Sequence, residues 1–223
     1  MRLTIMRRAH LHFNRRAEQT TRMPTDTKVW SVEEVREMQD ESRPWPRFEL
    51  IDGELLVTPA PEKIHQIGVG EVFLQLAVYV DRERVGVTLL SPSDLELHPG
   101  TIAQPDVFVV PVATGVKGAT SKPRRGWASV TSLLLAVEVI SPSSVRTDRH
   151  KKREYYLGAG VPDYWVIDFD ARILERWTPG SESPVMLQET FEWRPAGAST
   201  PLVVNLPELF ENAWRKYRLF TGE

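Results

Sequence analysis

The sequence predicts an α/β domain, on two observations. Short apolar runs rich in β-branched residues, such as Val107-Phe108-Val109-Val110 and Leu133 to Ile140, have the length and composition of buried strands. They alternate with longer stretches of helical apolar spacing, as in Lys63 to Tyr79. With 223 residues and a hydrophobic share of 41%, the chain is long enough for one sizeable core.

Composition narrows the chemistry. There is no cysteine, which excludes disulfides, thiolate zinc sites and thiol nucleophiles. The longest apolar runs fall far short of a membrane span of about 20 residues, so a soluble, cytoplasmic protein without membrane contacts is expected. Net charge is −2, unevenly spread: residues 1–22 hold six arginines and one acid, Glu18, leaving −7 on the rest. Residues 1–28 show no period and are expected to be a basic, disordered arm, with 29–223 as a single domain. The arm has no motif, which favours translation from Met23 over a nucleic-acid-binding role.

The elements follow in order. Ser31 and Glu34 form a capping box that starts a short helix reaching about Met38. Arg47 to Val57 reads as a hairpin turning at Asp52-Gly53. Lys63 to Tyr79 is a helix with His65 in its first turn. Val87–Leu90 and Asp94–Leu97 read as two short strands about a Ser91-Pro92-Ser93 bend, ahead of the Asp106 strand. Residues 113–129 are rich in breakers and bases and read as a surface loop. After the Glu138 strand, a helix is expected from about Thr147 to Gly158, then a hairpin of Tyr164–Asp168 with Ile173–Trp177. Weaker strands near 185–193 and 202–204 precede an amphipathic helix around Pro207–Leu219. Trp193, Trp214 and Tyr217 are candidates for core or interface.

Two of these strands each carry one lone carboxylate, Asp106 and Glu138. A buried carboxylate is costly unless paired, protonated or metal-bound, and two neighbouring ones repel. Magnesium or manganese prefers hard oxygen ligands. Asp106, Glu138 and the carbonyl of Val139 suit such a half-shell, with Glu49 as a third carboxylate. Lys152, in the run Arg149-His150-Lys151-Lys152-Arg153, is the candidate to orient a water or stabilise a phosphoryl transition state. On a helix, Lys152 shares a face with Tyr155 and Tyr156, while Lys151 points about 100° away. The ordinary alternative is that Asp106 is a strand-edge residue, Glu138 pairs with an arginine, and the lysines are solvated.

The run Phe48-Glu49-Leu50-Ile51-Asp52-Gly53-Glu54-Leu55, followed by His65, Gln104-Pro105-Asp106, Val137 to Ser143, Lys152 to Tyr156 and Gly160 to Asp168, resembles the Uma-two family. The similarity covers roughly residues 29–180, with the motifs in order. The resemblance implies a restriction-endonuclease-like PD-(D/E)XK fold, a mixed β-sheet flanked by α-helices, and a Mg²⁺- or Mn²⁺-dependent endonuclease acting on DNA. It carries the metal-ligand role onto Asp106 and Glu138 and an accessory acid role onto Glu49. His65 and Gln104 are expected beside these ligands. Arg146, Arg149, Lys151 and Arg153 are candidates for phosphate contacts, and a homodimer is a further expectation. The usual pattern puts lysine two residues after the glutamate, where this chain has Ile140. The resemblance therefore implies a lysine moved to the next helix, Lys152, with Lys151 as the neighbouring candidate. The competing class is a non-catalytic nucleic-acid-binding or protein-interaction module on the same fold. A third is a hydrolase of small phosphodiesters.

Overall fold

The computed structural model describes residues 28–41, 45–112, 127–141 and 147–223, apart from the side chains of 40, 41 and 128. The basic arm and Arg146 lie outside the described residues, as does most of the predicted 113–129 loop.

Helix α1 (Val32–Glu41) begins at the predicted capping box. The Ser31 N–H donates to Glu34 Oε2 at 2.9 Å, and the Glu34 N–H donates to Ser31 Oγ at 3.2 Å. Strands β1 (Arg47–Ile51) and β2 (Glu54–Thr58) form the hairpin. Its turn places both Asp52 (φ 52°) and Gly53 (φ 76°) in the left-handed region, which Asp-Gly tolerates and most pairs do not. Helix α2 (Lys63–Glu83) follows, four residues longer than its apolar spacing predicts.

The central sheet runs β3 (Gly86–Leu90), β4 (Val107–Pro111), β5 (Leu135–Val139), β6 (Tyr164–Asp168), β7 (Ile173–Trp177), β8 (Val185–Leu187). Only β5 and β6 pair in parallel; every other neighbouring pair is antiparallel. A parallel pair needs a crossover. Here it consists of a π-helical segment (Asp148–Lys152) running into α3 (Arg153–Gly158). Strands β9 (Thr190–Trp193) and β10 (Leu202–Asn205) form a separate pair, and α4 (Leu206–Thr221) closes the chain, N-capped by Asn205 Oδ1. This is the predicted mixed sheet flanked by helices.

One predicted strand is absent. Asp94–Leu97 forms no strand and makes only a bridge between Leu95 and Ala103. Ser93 Oγ donates to the Leu90 carbonyl at 2.8 Å, bending the chain away from the sheet, and Asp94 instead receives side-chain amides from Gln39 and Gln104.

Two-residue periodicity sorts the sheet's side chains. Val107, Val109, Leu135, Val137, Trp165 and Ile167 face α2 and α4 in one core, which also buries Trp193. Phe108, Ala136, Tyr164 and Val166 face α3, with Tyr155 and Tyr156, in a second. Asp106 and Glu138 continue the second series. Gly68, on the inner face of α2, lies so close to Phe169 that a β-carbon there would overlap the ring. Among the described residues no helix is long and apolar enough to cross a membrane.

Glu83 at the end of α2 ties down the 199–200 segment. It accepts from Ser199 Oγ at 2.6 Å, Thr200 Oγ1 at 2.7 Å, and the two backbone N–H groups at 2.8 and 3.1 Å. The hydroxyls of Ser199 and Thr200 are the main cause of a pKa lowered from 4.5 to about 2. A carboxylate lowered on folding stabilises the native state above its unfolded pKa, and that contribution fades as pH falls through the folded value.

Urea unfolding of wild type should therefore show a stability component lost between about pH 4.5 and 2. Glu83→Gln should be less stable at neutral pH and flatter across that window; parallel curves would refute this. Gly68→Ala should destabilise the fold by about 1–3 kcal/mol by overpacking against Phe169, read from the same unfolding curves.

Candidate active site

The β4–β5 register pairs Val107 with Val137, which sets Asp106 opposite Glu138 on the α3 face. Both are buried, at 8% and 2% exposure. The Val139 N–H donates to Asp106 Oδ2 at 2.9 Å, and His65 Nε2 lies 3.1 Å from the same oxygen. His65 reaches it from the first turn of α2, where the helix meets the sheet's end.

The crossover brings Lys152 back over the sheet. Its Nζ lies 3.0 Å from Glu49 Oε2, 3.0 Å from Glu138 Oε1 and 3.6 Å from Asp148 Oδ1. Tyr156 OH also donates to Glu138 Oε1, at 3.2 Å. Lys152, Tyr155 and Tyr156 are all buried, whereas Lys151 is 41% exposed and pairs with Glu54 on the hairpin. Asp148 and Lys152, four residues apart on this π-helical segment, are both buried, and such segments recur at functional sites. Glu49 is committed at both oxygens, since Oε1 accepts the Gln104 N–H at 2.7 Å. Gln104 Nε2 is held by Asp94 at 2.6 Å.

Buried like charges pull these groups apart. Burial raises the Asp106 pKa, but the His65 hydrogen bond and charge, Lys152 and the Val139 N–H outweigh it, leaving the pKa low. Burial pushes Glu138 well above the usual carboxylate range; Lys152 opposes this, while Asp106, Asp148 and Glu49 add to it. Burial works against the charge on Lys152, yet the carboxylates led by Glu138 hold it firmly as an ammonium ion.

A cavity of about 240 Å³ opens on this cluster. Asp106, Glu138, Val139, Glu49, Asp148, Lys152, His65 and Gln104 line it, with Arg47 and Trp45 among the other wall residues. Among the described residues lining it, four buried carboxylates surround one buried lysine, with His65 on Asp106. Among the described residues, Asp106 Oδ1 and Glu138 Oε2 receive no hydrogen bond, so each acid keeps one oxygen uncommitted. No three acidic or histidine side chains among the described residues converge as a ready-made metal cage. Gln104 Oε1, His65 Nδ1 and Arg47 Nε are buried without hydrogen-bond partners among the described residues.

The other sequence candidates fall differently. Arg149 Nε donates to Glu175 at 2.6 Å, and its guanidinium lies 3.8 Å from Asp168. Arg153 pairs with Glu154 and covers the Trp177 ring at 4.7 Å. Both are engaged within the chain. Sequence reasoning missed Asp148, one turn before Lys152, and Arg47. The signal for Arg47 was present, because it stands two residues before Glu49 on a strand and so shares its face.

Comparison with known proteins agrees with this architecture. The model of the Uma2 family, described as "Putative restriction endonuclease", matches residues 32–215. No curated protein matches. Among solved structures, the chain is similar to a putative nuclease belonging to DUF820 from Anabaena variabilis ATCC 29413, with a TM-score of 0.63 at 20% identity. That match covers 80% of this chain and 98% of the other, and at this identity it speaks for the fold alone.

Removing one member of a buried ion cluster strands the rest. Lys152→Met should lower unfolding free energy by about 3–5 kcal/mol in urea titrations. Lys151→Met, whose partner Glu54 is 54% exposed, should change it by about 1 kcal/mol or less. Equal effects would show that Lys152 is not the ion that neutralises the cluster.

Proposed function

The chain belongs to the Uma2 family, and from that membership and the cleft we propose a divalent-metal-dependent endonuclease that hydrolyses DNA phosphodiester bonds. The observation that carries the reading is the pair of buried acids on facing strands: among the described residues, Asp106 and Glu138 each keep one uncommitted oxygen toward the cleft. That donor set fits a small hard cation. Magnesium commonly takes one or two carboxylates and fills its remaining positions with water and substrate phosphate, so a complete protein cage is not required.

In this reading Asp106, Glu138 and the carbonyl of Val139 hold Mg²⁺ or Mn²⁺. The bound ion would supply charge neutralisation at the scissile phosphate and a more acidic water. The remaining steps belong to the side chains. His65 and the Val139 N–H keep Asp106 ionised and oriented. Lys152, held as an ammonium ion, donates to the attacking water or to oxygens that gain charge in the transition state. It does not serve as a base. Glu49 and Tyr156 position Lys152 and Glu138, and Gln104 positions Glu49. Ile140, which stands where the usual pattern has lysine, packs against the α3-side core and donates its N–H to the Ile167 carbonyl at 2.8 Å.

Supercoiled plasmid should be nicked with Mg²⁺ or Mn²⁺ and protected by chelator. Asp106→Asn, Glu138→Gln and Lys152→Met should each lower the rate about 100-fold or more, with Ile140→Ala close to wild type. Undiminished cleavage in all three site variants would mark a contaminant. Mg²⁺ should also raise the melting temperature of wild type but not of Asp106→Asn. A non-catalytic module would show neither nicking nor this Asp106-dependent shift.

A further inference from the structure

Among the described residues, three cationic or potentially cationic side chains line the cleft, and two are already engaged. Lys152 is surrounded by carboxylates and His65 sits on Asp106. Arg47 differs: among the described residues no carboxylate lies within ion-pair distance of it. Strand alternation places Arg47 on the cleft face with Glu49, while Phe48 and Leu50 pack on the opposite side with Val35 and Ile102.

Its guanidinium is anchored without a direct ion pair, while Asp106, Glu49 and Glu138 act on it through space. Nη1 donates to Ser91 Oγ at 2.6 Å, the group lies 4.2 Å from the centre of the Trp45 ring, and buried Nε has no hydrogen-bond partner among the described residues. Arginine carries five N–H donors in a planar fork that matches the oxygens of a phosphate. Ring stacking and fork geometry are properties that lysine lacks. A cleft lined by acids repels a phosphodiester, so its entry calls for a cation whose N–H donors are not already taken by those acids.

We infer that Arg47 contacts a non-bridging oxygen of the scissile or adjacent phosphate, with Trp45 and Ser91 positioning its guanidinium. This rests on the nuclease reading above and adds a substrate-contacting residue to it. The basic run Arg149–Arg153, by contrast, spends its arginines on Glu175, Asp168 and Glu154.

The test is fluorescence anisotropy of a labelled DNA duplex in calcium buffer across a salt titration, run beside plasmid nicking. Arg47→Gln should bind about tenfold more weakly, and the slope of log affinity against log salt should fall by about 1, the signature of one lost phosphate contact. Arg47→Lys keeps the charge and should retain the wild-type slope with intermediate affinity. Arg218→Gln, on the exposed face of α4, should match wild type. Unchanged affinity and slope in Arg47→Gln, with wild type still nicking plasmid, would overturn this assignment alone. Wild type that neither binds nor nicks DNA would overturn the nuclease reading and this assignment with it.

Discussion

The Lys152 ammonium is the interaction on which the site is built. It joins Glu49 of the hairpin, Glu138 of the central sheet and Asp148 of the crossover, three segments far apart in the chain. Without it their carboxylates would face one another in a poorly hydrated interior, where like charges repel strongly. With it, the hairpin, the sheet and the crossover share one electrostatic anchor. Tyr155 and Tyr156, one turn further on, seat the same helix against the sheet. The lysine thus anchors the three segments, with His65 holding Asp106 beside it.

The two faces of the sheet divide the work. The α2 and α4 side is an apolar core containing Trp165, Trp193 and Phe210, and it supplies most of the hydrophobic burial. The α3 side mixes apolar packing with the buried acids. Within that site, two carboxylates on paired strands are driven in opposite directions. Asp106 is held ionised by donors aimed at it, whereas Glu138 is raised by desolvation and by its acidic neighbours. Their difference comes from placement, since both are carboxylates on buried strand ends.

The placement of Lys152 follows from the topology of the sheet. The position two residues after Glu138 holds Ile140, whose N–H belongs to the parallel ladder. The parallel β5–β6 pair requires a crossover, and that crossover returns over the sheet with Lys152 on its inner side. A buried cation near the sheet end is therefore a natural product of this topology.

The sequence by itself determined the elements whose signals are local. The Ser31–Glu34 box, the Asp52-Gly53 turn, the long α2 period and the β6–β7 hairpin each depend on neighbouring residues, and all are present. Helix phase likewise separated Lys152 from Lys151, because the direction of a side chain on a short helix follows from its spacing to Tyr155 and Tyr156. Asp94–Leu97 failed as a strand because its polar side chain found partners in Gln39 and Gln104, distant in sequence. Only the tertiary structure decided that Asp106 faces Glu138, that Asp148 joins the cluster through a π turn, and that Arg47 enters the cleft without a carboxylate partner among the described residues. Strand register, crossover docking and ion pairing are contacts between segments, and no local pattern of residues specifies which distant segment will be there to meet them.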